Sequence, residues 1–195
     1  MKKLILFVLL FTVLYAETTK IDSLEIRLNS LPRPEKIGLL LSTAKNVMQL
    51  NPQKALEYSQ RALKIAKTKE EKAKTYKLLG ASYFYLNDYV KTLKHYEEAL
   101  AIFTTIENFE EVANIFGNIG STYLELNDYD NAIKYQLKAL EKKEKIDNKL
   151  EIGKTNLNIG NIYAKMKNYE KAKQYFLKAK NIFSKLNNKK LMMAA

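Results

Sequence analysis

Apolar and polar side chains are spaced as in amphipathic helices through most of this chain. Residues 109–126 carry five apolar side chains on one helix face, three or four positions apart. These side chains are Val112, Ile115, Phe116, Ile119 and Tyr123. Residues 129–146 carry a second stripe of this kind, and Asn127-Asp128 separates the two segments. The pattern predicts two helices joined by a short turn.

This helical hairpin recurs with a period of 40 residues. In each unit a glycine of the first helix precedes a tyrosine by three positions, and a small residue marks the second helix. The recurring residues are Gly80, Tyr83, Ala99, Gly120, Tyr123, Ala139, Gly160, Tyr163 and Ala179. A fixed period indicates one structural unit that is copied and stacked. Because glycine inside a helix costs about 1 kcal/mol relative to alanine, its recurrence predicts a close approach of two helices.

Residues typical of helix starts recur with the same period. Asp88, Asp128 and Asn168 precede the second helices, where a side-chain oxygen can accept a hydrogen bond from a free backbone N–H group. Each first helix is preceded by a capping residue, and a glutamate follows that residue three positions later. Thr68 with Glu71 has the strict capping-box pattern. The looser versions of this pattern begin at Asn108 and Asn148. Helix starts, turns and apolar faces therefore agree on an all-α fold.

The repeated positions resemble those of the tetratricopeptide repeat. The first complete unit carries the family residues Tyr76, Leu79, Gly80, Tyr83, Thr92, Tyr96 and Ala99. The later units depart from the pattern where Asn156 replaces the first aromatic residue and Gln136 the second. The period of 40 also exceeds the usual repeat of about 34 residues and is similar to a longer variant of bacterial signalling proteins. The resemblance implies an α-solenoid of stacked antiparallel helix pairs with a right-handed superhelix.

The repeat boundaries predict how the chain is organised. We expect a leading helix and linker at 17–34, with Leu24 and Leu28 on its apolar face, and a truncated start of a further helix at 187–195. Between them, four helix pairs are predicted at residues 35–68, 69–106, 109–146 and 149–186. The apolar edge after the last pair indicates a shortened relative of a longer sensor protein. The alternative is that self-association or the tail itself covers this edge.

The first sixteen residues have the layout of a secretory signal peptide. Lys2 and Lys3 precede an apolar stretch at 4–15, and the small residue Ala16 is followed by polar residues. At ~1.5 Å per residue, this stretch reaches about 18 Å, short of the ~30 Å hydrocarbon core of a membrane. We expect export to the periplasm or envelope with cleavage after Ala16, and an uncleaved N-terminal membrane anchor is the alternative.

The net charge of +12 comes mostly from lysine. Its lysines are interleaved with glutamates rather than gathered in one stripe, and only Arg27, Arg33 and Arg61 are arginines. Proteins that bind nucleic acid usually concentrate basic residues on one face and favour the planar guanidinium group. The pattern therefore predicts a solvated basic surface and no nucleic-acid partner.

The residue types that carry catalysis and metal binding are scarce. The chain has no cysteine, and its one histidine, His95, is expected at the surface or an edge of the second helix of its unit. A zinc site needs several such ligands. No nucleophile–base pair stands out in the sequence, and it contains no glycine-rich phosphate loop. We therefore expect a protein that is not an enzyme and needs no metal or cofactor.

The family resemblance implies a concave groove lined by the first helices. In this sequence the lining residues would be Lys74, Lys77, Phe84, Tyr85, Asn114, Asn118, Ser121, Lys154, Asn158, Asn161 and Lys165. Lysine supplies point charge and asparagine can bond a peptide backbone, so the set suits a protein or peptide with an acidic group. Some family members hold a terminal carboxylate at five such positions, of which Lys77, Asn118 and Lys154 match three.

Two functions follow from these expectations. The first is an exported scaffold that binds proteins or peptides without catalysis. The alternative is the sensory or regulatory region of a bacterial signalling protein, a histidine kinase or a transcriptional regulator, whose output domain is absent from this sequence.

Overall fold

The computed structural model describes residues 24–188 together with Leu191 and Met193. Residues 24–30 are helical, and no strand occurs in this described part of the chain. The helices that follow are α1 (Arg33–Val47), α2 (Pro52–Ile65), α3 (Lys69–Tyr85), α4 (Tyr89–Thr105), α5 (Phe109–Glu125), α6 (Tyr129–Lys145), α7 (Lys149–Lys165) and α8 (Tyr169–Lys185). The predicted all-α fold is confirmed. The predicted signal peptide lies outside the described residues.

Three-residue connections link the helices from α3 onward. After α3, Asp88 N–H donates to Tyr83 O at 2.9 Å, and Asn87 N–H donates to Phe84 O at 3.0 Å. These two bonds satisfy carbonyl groups that the helix end leaves free. Asn87 has a φ of 59°, in the left-handed region that asparagine tolerates better than most residues. The same backbone conformation recurs at Glu107, Asn127, Asp147, Lys167 and Asn187.

The last residue of each connection also begins the next helix. The side chain of Asp88 accepts from Lys91 N–H at 3.2 Å, as predicted for an N-cap. Thr68 and Glu71 form the predicted capping box, with both reciprocal bonds at 3.1 Å. Further predicted caps that accept from a backbone N–H are Asn108, Asp128, Asn148 and Asn168. One short connection therefore ends a helix and starts its partner.

The repeated glycines of the first helices allow a close approach of the second helices. A Cβ atom at Gly80 would lie 2.5 Å from Tyr96 Cδ1, and one at Gly160 would lie 2.6 Å from Phe176 Cδ1. The close contact predicted from glycine is present, but a large side chain faces each of these two glycines. The small residues Ala99, Ala139 and Ala179 are fully buried.

His95 is less exposed than the sequence predicted. Its side chain retains 17% of its accessible surface, and Nδ1 lies 2.8 Å from Glu98 Oε2. The ring stacks on Tyr83 with 5.4 Å between centroids. One repeat later, Tyr135 stacks on Tyr123 in the same way. His95 is half-buried, at an edge rather than on the open surface, because it occupies a stacking position between the two helices of its hairpin.

The N-terminal helices join the array through apolar and ionic contacts. Leu28 of the leading helix is buried against α1 and α2, in a cluster with Leu40 and Tyr58. Arg33, at the start of α1, donates to both carboxylate oxygens of Glu71 at 3.0 and 2.8 Å. This guanidinium and two backbone N–H groups hold the pKa of Glu71 at about 2. These contacts tie the first pair to the start of α3.

The predicted further helix at 187–195 is described only in part. Asn188 Oδ1 accepts from Leu191 N–H at 3.2 Å, the geometry of an N-cap. The predicted self-association through this end of the array stays a prediction.

Candidate functional site

First helices of neighbouring pairs contact each other, as α1 does with α3 and α5 with α7. Between α3, α5 and α7 is a groove with a volume of about 460 Å³, which we call the central groove. The predicted residues that line the central groove are Lys77, Asn114, Asn118, Ser121, Lys154 and Asn158. The structure therefore brings together six of the eleven side chains selected from the sequence in one groove. Their role in binding stays a prediction.

A second hollow of about 410 Å³ adjoins the central groove and is more aromatic. Phe84 and Tyr85 from the end of α3 line it, together with Tyr96 of α4. Asn118 and Ser121 line both the hollow and the central groove. The two cavities thus form one path with a polar part and an aromatic part.

The remaining predicted residues lie apart from this path. Lys74 lines a shallower hollow of about 210 Å³ between α1 and α3, which shares Lys77 with the central groove. Asn161 and Lys165 are exposed in the second half of α7 and line neither the groove nor the hollows just described. One repeat earlier, the counterpart of Asn161 is Ser121, which lines both cavities, and the counterpart of Lys165 is Glu125, which lines neither.

Two of the predicted groove lysines already have carboxylate partners. Lys77 Nζ lies 2.7 Å from both oxygens of Glu111, and Lys154 Nζ lies 2.6 Å from Glu151 Oε1. Lys74 likewise pairs with Glu70 at 2.6 Å. An acidic ligand would therefore compete with internal carboxylates for these ammonium groups.

Lys143 of α6 is a groove residue that sequence reasoning missed. Its side chain is only 8% exposed, yet it lines the central groove. Nζ donates to Thr155 Oγ1 at 3.0 Å and lies 3.3 Å from Glu151 Oε2. Burial lowers the pKa of Lys143. Burial alone would raise the pKa of Glu151, but Lys154 and Lys143 bring that pKa below its ordinary value.

Gln136 lies two turns before Lys143 on α6 and is 1% exposed. Its Nε2 donates to Gly117 O at 3.0 Å, a carbonyl group in the wall of the central groove. Its Oε1 is buried without a hydrogen-bond partner among the described residues. A buried acceptor left in this state is costly. The sequence singled out Gln136 only as a departure from the repeat pattern.

The central groove and the adjoining hollow differ in the groups that they present. The groove offers ammonium groups, side-chain amides and hydroxyl groups, and the hollow offers aromatic rings. Within the described residues, no three side chains are grouped as a metal site. None of the helices in the described part combines the length and apolar character that a membrane crossing requires.

Stacked helical hairpins with a groove along their first helices define an α-solenoid of the repeat class. A family model described as tetratricopeptide repeat matches residues 46–105, 71–145 and 111–185. Since these matches together span residues 46–185, the chain belongs to the tetratricopeptide-repeat family. The resemblance stated from the sequence is confirmed. Comparison with curated proteins gave no match.

Three solved structures illustrate the shared fold. BtubC from P. vanneervenii is 23% identical with a TM-score of 0.74, over 89% of this chain and 74% of that chain. A Signal Transduction ATPase with Numerous Domains from Pyrococcus horikoshii, which has a tetratricopeptide repeat sensor, is 23% identical with a TM-score of 0.77, over 88% and 28%. A Rap protein complexed with Competence and Sporulation Factor is 18% identical with a TM-score of 0.75, over 91% and 51%.

Proposed function

We propose that this protein is a non-catalytic scaffold that binds an extended peptide segment, free or within a protein, along the central groove. The observation that carries the proposal is the meeting of Lys77, Asn118 and Lys154 from three different helices in one groove. Side-chain amides can bond both the N–H and the C=O groups of a peptide backbone. The lysines add a preference for acidic segments.

The aromatic hollow supports an extended ligand rather than a single small group. Asn118 and Ser121 are shared by the two cavities, so a ligand that leaves the polar part enters the aromatic part directly. Tyr85 is 43% exposed there, and an aromatic side chain in such a place offers apolar area with little loss of conformational freedom on binding. The solved Rap protein complexed with Competence and Sporulation Factor shows that this fold can hold a second molecule.

A random octapeptide pool tests the proposal. Peptides retained by the full chain are identified by mass spectrometry, and we expect enrichment of sequences with aspartate or glutamate. The double variant Asn114→Ala and Asn118→Ala should retain about 30-fold less peptide, since two lost hydrogen bonds of about 1 kcal/mol each correspond to that factor. The matched control is Asn181→Ala, because Asn181 is an exposed asparagine on α8 outside the groove. Equal retention by the groove variant and the control would contradict the proposal.

We propose further that the protein is exported. The support is the basic, apolar and small-residue order of residues 1–16. In a Gram-negative host the full-length chain is expected in the periplasmic fraction, with Glu17 as the first residue by N-terminal sequencing. A chain without residues 2–16 is the control and should stay in the cytosol. Cytosolic full-length protein that keeps Met1 would contradict export, and membrane-bound protein that keeps Met1 would favour the anchor.

A further inference from the structure

Comparison of the repeat units shows that α6 differs from its counterparts at two buried positions. Forty residues before and after Lys143 the chain has Phe103 and Phe183, both fully buried. Forty residues before and after Gln136 it has Tyr96 and Phe176. The two polar residues are seven positions apart and lie on the same face of α6. The middle of these three units alone therefore has two polar side chains, Gln136 and Lys143, where the flanking units have aromatic rings. We call these two side chains the floor.

The charges at this floor are not balanced within the groove. Lys143 lies 3.3 Å from Glu151 Oε2, and Lys154 lies 2.6 Å from Oε1 of the same carboxylate. Glu151 is the one carboxylate among the described residues that line the central groove. Two ammonium groups thus share one negative charge, whereas Lys77 has Glu111 to itself. One positive charge beside the floor therefore has no carboxylate partner of its own among the described groove residues.

Fold stability does not account for Lys143. Withdrawing an ammonium group from water is costly, and apolar residues often replace buried ion pairs with no loss of stability. The aromatic side chains of Phe103 and Phe183 show that the repeat accommodates an apolar residue here. A lysine in this place instead supplies a charge, held by Thr155 and Glu151, at the bottom of a groove. Buried and oriented charges of this kind are used to recognise ligands.

We propose that Lys143, with Lys154, receives the carboxylate of an internal aspartate or glutamate side chain of the bound peptide. The inference rests on the peptide-binding function proposed above. The central groove continues into neighbouring cavities on two sides, through Asn118 and Ser121 and through Lys77. A peptide can therefore pass across the groove in both directions, and the group that points to the floor is a side chain rather than a chain end.

Three synthetic pools of N-acetylated octapeptides test this site on the full chain. The first pool has an amidated C-terminus and one aspartate or glutamate at a central position among random uncharged residues. The second pool has asparagine or glutamine at that position. The third pool lacks acidic side chains and has a free terminal carboxylate. We expect the first pool to be retained at least tenfold better than either of the others.

Variants of two lysines on α6 test whether Lys143 causes the preference for the first pool. Lys143→Met should lose most of the preference for the first pool, with Lys154 accounting for what remains, whereas Lys145→Met should keep the preference in full, because Lys145 is exposed on the same helix and its loss removes the same charge. In the wild type, the side-chain ¹⁵Nζ resonance of Lys143 should shift with the first pool only. Thermal unfolding of both variants shows whether the fold is intact.

The outcomes separate this inference from the proposed function. If Lys143→Met keeps the preference for the first pool undiminished, or if the third pool binds best, the inference is wrong while peptide binding stands. If no pool is retained by the wild type, the proposed function fails and the inference fails with it.

Discussion

Gly120→Leu is expected to destabilise the fold by about 3 kcal/mol, equivalent to a fall in Tm of about 6–12 °C for a chain of this size. A Cβ atom at Gly120 would lie 2.9 Å from Gln136 Cγ and 3.1 Å from both Ala132 O and Gln136 N. Two of these atoms belong to the backbone of α6, so no side-chain rotation relieves the overlap. Helices α5 and α6 would have to separate, and the buried apolar contacts around Ile119 would be lost.

Gly38→Leu is the matched control for this prediction. Gly38 is also inside a helix, but nothing lies within 4 Å of a Cβ atom built there. The same substitution should therefore raise stability by about 0.5–1 kcal/mol, since leucine favours the helix over glycine. Thermal unfolding followed by circular dichroism at 222 nm compares the two variants. Equal shifts in Tm would show that the close approach at Gly120 contributes nothing to the free energy of unfolding.

Glu151→Gln is expected to destabilise the protein by about 3 kcal/mol, because it leaves the buried ammonium group of Lys143 without a counter-charge. Lys143→Met should be neutral or stabilising, since it removes the charge that needs a partner. The double variant should therefore recover most of the stability lost in Glu151→Gln. Such non-additivity is the signature of two residues in direct interaction.

The effect of Glu151→Gln should depend on pH. The folded protein holds the pKa of Glu151 below its ordinary value of 4.5, so the unfolded chain binds the proton first as the pH falls. The stabilisation by Glu151 is complete above that ordinary value and is lost as the pH falls through the lower pKa of the folded state. Denaturant unfolding of the four proteins at pH 7 and at acidic pH measures this difference. Additive effects at pH 7 would contradict the pairing.

The features predicted correctly from the sequence are local ones. A capping box such as Thr68 with Glu71 needs only residues three positions apart, and the helical spacing of apolar residues needs only one helix. Ion pairs such as Lys77 with Glu111 join residues 34 positions apart on different helices, and periodicity within one helix carries no information on them. The groove lysines were therefore predicted without their partners.

The burial of Lys143 and the partial burial of His95 were not predicted, for a different reason. Each was considered within its own helix, where a lysine or a histidine on a polar sequence suggests solvent. Alignment of the units would have placed Lys143 with Phe103 and Phe183, which are fully buried, and His95 with Tyr135. The repeat register is thus the signal that locates buried polar groups in such a chain.

The connections between helices bear on how arrays of this kind change in length. From α3 onward every connection has the same backbone form and ends on the residue that starts the next helix. Recombination within the gene that inserts or deletes a whole unit therefore joins two helices through a turn already in use. The number of units can vary among descendants without a new junction, whereas the lysine at position 143, which has phenylalanine counterparts in the flanking units, occurs in one copy only.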